Sequence, residues 1–198
     1  MILMLPTQTI VLAAFALSGI AMYRPINCLT SRRFFATRLD PLVPLVPIFV
    51  IPYLSFFLFL GAMLVLASVA PWGPESLLAV GVAGWSASVV WYWGRFGVRR
   101  PSLPEGAGVM TRAVATIYRF DNVNNAFPSS HVFYSLISSY YLALFFPSFA
   151  WVIWIWGSII AVSTVLVKQH YLPDIAGGIV WATAAIWAAQ TILASMPL

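Results

Sequence analysis

The chain has 198 residues, 62% of them hydrophobic and only 8% charged, with ten Lys and Arg against five Asp and Glu for a formal net charge of +5. Soluble domains carry about 25% charged residues, so this composition excludes a soluble globular protein, and no nucleic-acid partner is expected. Stretches 1–23, 41–74, 76–94, 122–167 and 175–198 contain no Asp, Glu, Lys or Arg, and a bilayer-crossing helix needs about 20 predominantly apolar residues.

Six spans follow in chain order, at about 5–23, 44–68, 77–95, 131–146, 151–167 and 174–194. The first lacks a basic leader and is followed by Arg24, which favours a retained anchor over a cleaved signal peptide. The tract 122–167 is about two bilayers long at 1.5 Å per residue, and the break falls at "FPSFA". Tyr23, Trp72, Tyr118, Trp151 and Tyr171 lie near span ends, where aromatic rings suit the membrane interface. The single cysteine, Cys28, makes neither an internal disulfide nor a thiolate metal cluster. No metal or other cofactor is expected. The predicted fold is all-α: one domain over residues 1–198, a six-transmembrane-helix bundle with its active site at one membrane face.

Alternating the spans puts the loops after spans one, three and five on one side. That side takes every Lys and Arg, together with Asp40, Glu105, Asp121 and Asp174, while the other keeps only Glu75. The excess of basic residues predicts a cytoplasmic location for the equipped face, in a multi-pass protein of a bacterial inner membrane or an endoplasmic-reticulum-type membrane.

Three stretches on that face carry polar chemistry: "GVRRPSLP" with Arg99 and Arg100, "DNVNNAFPSSHV" with Ser129, Ser130 and His131, and "STVLVKQHYLPD" with Ser163, Lys168, His170 and Asp174. Each has an ordinary structural account. An Arg-Arg-Pro at a membrane boundary is commonly a snorkelling pair, Pro-Ser-Ser is a normal helix cap, and His-x-x-x-Asp is a simple hydrogen-bonded pair. Their combination points further, because ionisable groups in or beside a membrane are functional by default and both histidines of the chain fall on this face. A helix N-terminus with serine hydroxyls suits an oxyanion, Arg100 matches phosphate oxygens, and Lys168 adds a second charge. Two imidazoles supply a nucleophile and a general acid, with Asp174 to orient one of them. The set reads as metal-free phosphoryl transfer on a phosphorylated lipid at the membrane surface.

The order Arg-Pro, then Pro-Ser-x-His, then Ser-x6-His-x3-Asp resembles the type 2 phosphatidic acid phosphatase (PAP2) superfamily, whose pattern is K-x6-R-P, P-S-G-H and S-R-x5-H-x3-D. The likeness covers about 92–178. It implies that His170 attacks phosphorus, Asp174 orients His170, and His131 protonates the leaving alkoxide. It also implies that Arg100, Ser129 and the backbone near Ser130 hold phosphoryl oxygens. Where the family has a lysine this chain has Trp93; Ser130 replaces the glycine and Thr164 the second arginine. Lys168, one helical turn beyond Thr164, is expected to replace that arginine, and Arg95 or Arg99 the lysine. Asp121 and Asn125 are either supports of the site or caps. The form of the motifs looks closest to the branch with inositol phosphorylceramide synthases. The resemblance implies a lipid phosphate phosphatase acting on phosphatidic acid, phosphatidylglycerol phosphate or a polyprenyl (di)phosphate. The alternatives are a phosphoalcohol transferase of the inositol phosphorylceramide or sphingomyelin synthase type, and a non-catalytic lipid-binding membrane protein.

Overall fold

In the computed structural model, which describes residues 7–103 and 108–195, the apolar tracts are helices. In hydrocarbon every backbone N–H and C=O must be satisfied within the segment. Leu5, in the first expected span, and Glu105, counted on the charged face, lie outside the described residues. The helices are α1 (Thr7–Ala21), α2 (Tyr23–Asn27), α3 (Val50–Leu66), α4 (Gly73–Gly94), α5 (Val109–Phe120), α6 (Ser130–Phe145), α7 (Ala150–Leu166) and α8 (Leu172–Ser195). Among the described residues there is no strand beyond an isolated parallel bridge between Arg33 and Phe96.

Five segments are long and apolar enough to cross a membrane: Thr7–Asn27, Pro47–Leu66, Gly73–Gly94, Pro147–Leu166 and Leu172–Ser195. Six were expected. The missing one is α6, whose 16 residues reach about 24 Å at 1.5 Å per residue. It sits in the middle of the bundle, touching α3, α4, α7 and α8. Eleven of its residues are buried, among them Ser135, Ser138 and Ser139. A helix wrapped in protein need not match the hydrocarbon thickness, and its polar side chains explain its weaker apolar signal. The expected break falls where proposed: Pro147–Phe149 forms a short turn between α6 and α7.

Packing relies on small residues. A Cβ on Gly84 of α4 would lie 2.8 Å from the backbone of Gly19 in α1, so these helices approach as closely as backbones allow. The main core gathers Met63, Ala79, Val80, Ala83, Trp91, Phe133, Ile137 and Tyr141 from α3, α4 and α6.

An element that the span pattern did not predict is α5. It is amphipathic, and at 12 residues it is too short to cross. Its Val114 packs with Val50, Tyr53 and Val167, which lays it across the charged end of the bundle. Met110, Val114 and Ile117 recur at helical spacing, with Arg112 and Arg119 off that stripe; this periodicity is a usable signal.

The loops of the charged face interlock. Arg32 and Arg33 donate backbone N–H groups to the Arg95 carbonyl, Gly97 to Arg33, Val98 to Val123 and Ala126 to Phe96. Asn27, wholly buried, donates to the carbonyls of Asn122 and Asn124 and accepts from Asn122 N. Asp40 accepts from Leu172 N at 2.7 Å and from the Thr37 hydroxyl at 2.7 Å, joining the loop after α2 to the start of α8. The segments after spans one, three and five therefore meet at one end of the bundle.

Candidate active site

Helix α7 ends in a tight turn that delivers His170. The N–H groups of Gln169 and His170 both end on the Thr164 carbonyl, at 2.9 and 3.2 Å, while Lys168 takes the left-handed conformation with φ 57°. This is how a chain leaves a helix C-terminus. Two tyrosines brace the turn: Tyr118 donates from its hydroxyl to the Val167 carbonyl at 3.0 Å, and the Tyr171 hydroxyl accepts from Arg99 N at 2.9 Å.

His170 Nδ1 lies 2.9 Å from the Ala126 carbonyl and 3.4 Å from Asp174 Oδ2. A carbonyl only accepts, so Nδ1 carries a proton and, in the neutral ring, Nε2 is the nitrogen with the lone pair. The motif placed Asp174 in the orienting role. The shorter contact belongs to a backbone carbonyl that no sequence pattern signals. Asp174, fully buried, also accepts from Tyr171 N at 2.8 Å, which holds the carboxylate in the first turn of α8.

His131, in the first turn of α6, faces His170 with ring centroids 6.3 Å apart. It stacks on Tyr53 at 4.3 Å and lies 4.3 Å from the Phe56 ring. Both of its nitrogens are buried without a hydrogen-bond partner among the described residues. Ser129 caps α6, its hydroxyl accepting from Val132 N at 3.4 Å, and its own N–H donates to the Asp174 carbonyl at 3.2 Å. The starts of α6 and α8 are thus tied by backbone. Trp91 adds a bond from its indole N–H to the Pro128 carbonyl at 3.1 Å.

The two imidazoles line different cavities. His170 borders one of about 640 Å³ with Arg99, Arg100, Lys168, Asp40 and Tyr171. His131 borders one of about 380 Å³ between α1, α2, α3, α5 and α6. The second cavity is walled by Ile20, Phe56, Leu60 and Ile117, and carries Ser130, Asp121 and Arg24 at its polar end. Its rim residues Leu54 and Phe57 are exposed apolar side chains.

The cations divide by role. Arg99 lies over the Phe34 ring at 5.0 Å, and its guanidinium has no hydrogen bond among the described residues. Lys168 Nζ donates to the carbonyls of Asp40 and Val43; burial lowers its pKa from the ordinary 10.5, with Asp40 opposing. Arg100 is clamped. It stacks over Tyr118 at 4.7 Å and donates to the carbonyls of Tyr118, Asp121 and Asn122, to the Asp121 carboxylate at 3.4 Å, and to Gln169 Oε1. Among the described residues its Nε has no acceptor. Burial raises the Asp121 carboxyl above its ordinary 3.8, while Arg100 and a 3.0 Å bond from the Tyr23 hydroxyl act against the rise.

Other expected residues stand further out. Trp93, at the family's lysine position, is 75% exposed on the outside of α4. Arg95 folds back on Tyr92 at 5.8 Å and does not line the His170 cavity, so Arg99 is the better placed of the two candidates. The Ser163 hydroxyl donates to Ile160 of its own helix at 2.6 Å. Asn125 takes φ 61° and donates to the Tyr23 carbonyl at 2.9 Å, holding the loop before α6 to α2. Gln169, the Ala126 carbonyl and the aromatic pair Tyr53 and Phe56 are site neighbours that sequence reasoning missed. Only contacts across the fold identify them.

No curated protein and no solved structure matches the chain. A family model described as PAP2 superfamily matches residues 107–188, a segment that takes in Ser129, His131, Lys168, His170 and Asp174 but not Arg99 or Arg100. Superfamily members have phosphatase or phosphotransferase activity in general, in keeping with a multi-pass membrane protein. Over this segment the chain is similar to the PAP2 superfamily.

Proposed function

We propose that the protein is a metal-independent membrane lipid phosphate phosphatase that works through a phosphohistidine. The observation that carries this reading is the pair of opposed imidazoles at 6.3 Å, one bordering a cationic cavity and the other an apolar one. The phosphoryl group sits between them. Arg99, Lys168 and Arg100 Nε, with Ser129, Ser130 and the free N–H groups at the start of α6, hold its oxygens. The apolar cavity takes the chain of the leaving alcohol through the rim at Leu54 and Phe57.

His170 Nε2 attacks phosphorus while the bond to the lipid oxygen breaks, and His131 gives its proton to the departing alkoxide. Neutral His131 then takes a proton from water as the water oxygen attacks. The P–N bond breaks, and inorganic phosphate leaves. Asp174 stabilises the positive charge that His170 acquires. Arg99 and Lys168 stand in for the two cations of the family pattern that this chain lacks. Nothing in these steps calls for a metal. The equipped face is placed in the cytoplasm on the basic-residue excess.

The test is release of inorganic phosphate by the purified chain from phosphatidic acid, phosphatidylglycerol phosphate and polyprenyl diphosphate, with EDTA present. Release that persists in EDTA and drops at least a thousandfold in His170→Ala is the expected result. Turnover that begins only when an alcohol acceptor is added assigns the transferase chemistry instead. Tight lipid binding without turnover assigns a non-catalytic role. Activity retained in both His131→Ala and His170→Ala rejects the mechanism.

A further inference from the structure

Beside His170, two buried donors have no acceptor among the described residues: Arg100 Nε and Gln169 Nε2. Their side chains are joined to each other, because Arg100 Nη2 donates to Gln169 Oε1. A guanidinium has no acceptor atom, so this bond fixes which end of the amide is oxygen and turns its N–H groups the other way. Gln169 is 4% exposed, and its backbone is pinned to Thr164 alongside that of His170. Arg100 borders the cavity of His170. The nearest acid on Arg100, Asp121, is already shared between Nη2 and the Tyr23 hydroxyl.

Leaving a buried donor unpaired is costly. Two such donors sit on bonded side chains, one of them cationic; each needs an oxygen, and among the described residues neither finds one. We propose that Gln169 Nε2 and Arg100 Nε form an oxyanion seat beside His170, with Gln169 a substrate-contacting residue for the phosphoryl group. The proposal rests on the phosphatase reading above. The remaining Arg100 donors hold the seat in place by gripping the 118–122 segment. Unlike Lys168, the amide of Gln169 keeps its donor at every pH.

The experiment separates seat from support. Gln169→Glu keeps an acceptor for Arg100 but replaces the Nε2 donor with a negative oxygen. The full chain in detergent is titrated with orthovanadate, following tryptophan fluorescence, and its melting temperature is recorded without ligand. Vanadate affinity at least about tenfold weaker than wild type, the loss expected for a hydrogen bond to a charged group, with melting unchanged within a few degrees, is the expected result. Equal affinity in Gln169→Glu overturns the proposal and leaves Gln169 as the acceptor of Arg100 alone. Wild-type protein that binds no vanadate overturns it too. If Gln169→Glu does not fold, Gln169→Met decides: a tenfold loss sustains the seat and unchanged affinity removes it. Vanadate binding without phosphate release from any lipid sinks the phosphatase reading and spares the seat. Release that vanadate inhibits equally in wild type and variant does the reverse.

Discussion

His170 is oriented by two acceptors of unequal kind, and this sets how far the site depends on Asp174. The Ala126 carbonyl at 2.9 Å holds the proton on Nδ1, so the tautomer survives loss of the carboxylate charge. Asp174→Asn is therefore expected to lower kcat by tens-fold, with KM little changed. That is less than the roughly 10⁴-fold seen where an aspartate alone fixes the tautomer, and steady-state phosphate release measures it. Lys168 makes a second case. Its charge is lost at lower pH than an ordinary lysine's because burial disfavours the ammonium. As pH rises through that lowered value, the site loses a cation and anion affinity falls. Vanadate affinity should thus decline on the alkaline side before 10.5, and Lys168→Arg, which stays charged, should flatten the decline. Both histidines, Asp174 and Lys168 were readable as residue types at fixed spacing. The clamped state of Arg100 was not, since its acceptors are backbone carbonyls and a carboxylate of the 118–122 segment together with the side chain of Gln169.

At the scale of elements, the site depends on how α6 meets α8. A Cβ placed on Gly178 would lie 2.6 Å from Val132 Cβ and 3.1 Å from the Ser129 carbonyl. Valine is stiff at χ1 and a cap carbonyl cannot retreat, so Gly178→Ala must push the two helix starts apart. We expect a loss of about 1–3 kcal/mol of stability from overpacking, read as a lower melting temperature. A larger fall in kcat than in substrate affinity should accompany it, because the gap between His131 and His170 widens. The long apolar helices were legible because bilayer thickness fixes a length that composition reveals. Helix α6 was legible as a tract, though too short by length alone. Helix α5 carries its pattern in the sequence, but as an interfacial helix it falls below any span-based reading.

For the whole molecule, if α6 crosses together with the five apolar segments, both termini lie opposite the charged face, and the position of the C-terminus then reports the side of the site. With that face cytoplasmic, a reporter fused after Leu198 should be active only outside the cytoplasm. A cytoplasmic C-terminus would move the site to the opposite side and leave its chemistry intact. Legible in the sequence alone were the membrane class, the helical tracts, the gathering of Lys and Arg in alternate loops and the candidate set of His131, His170, Asp174 and Lys168. Apolar length and motif spacing are local properties, written along the chain. Tertiary structure alone decided which cation is free and which is clamped, that a carbonyl from the loop before α6 holds His170, and that the histidines open on cavities of opposite character. These depend on contacts between residues far apart in sequence: Ala126 with His170, Arg100 with Asp121, Tyr53 with His131. They come into being only when the helices pack and the charged loops close over one end of the bundle.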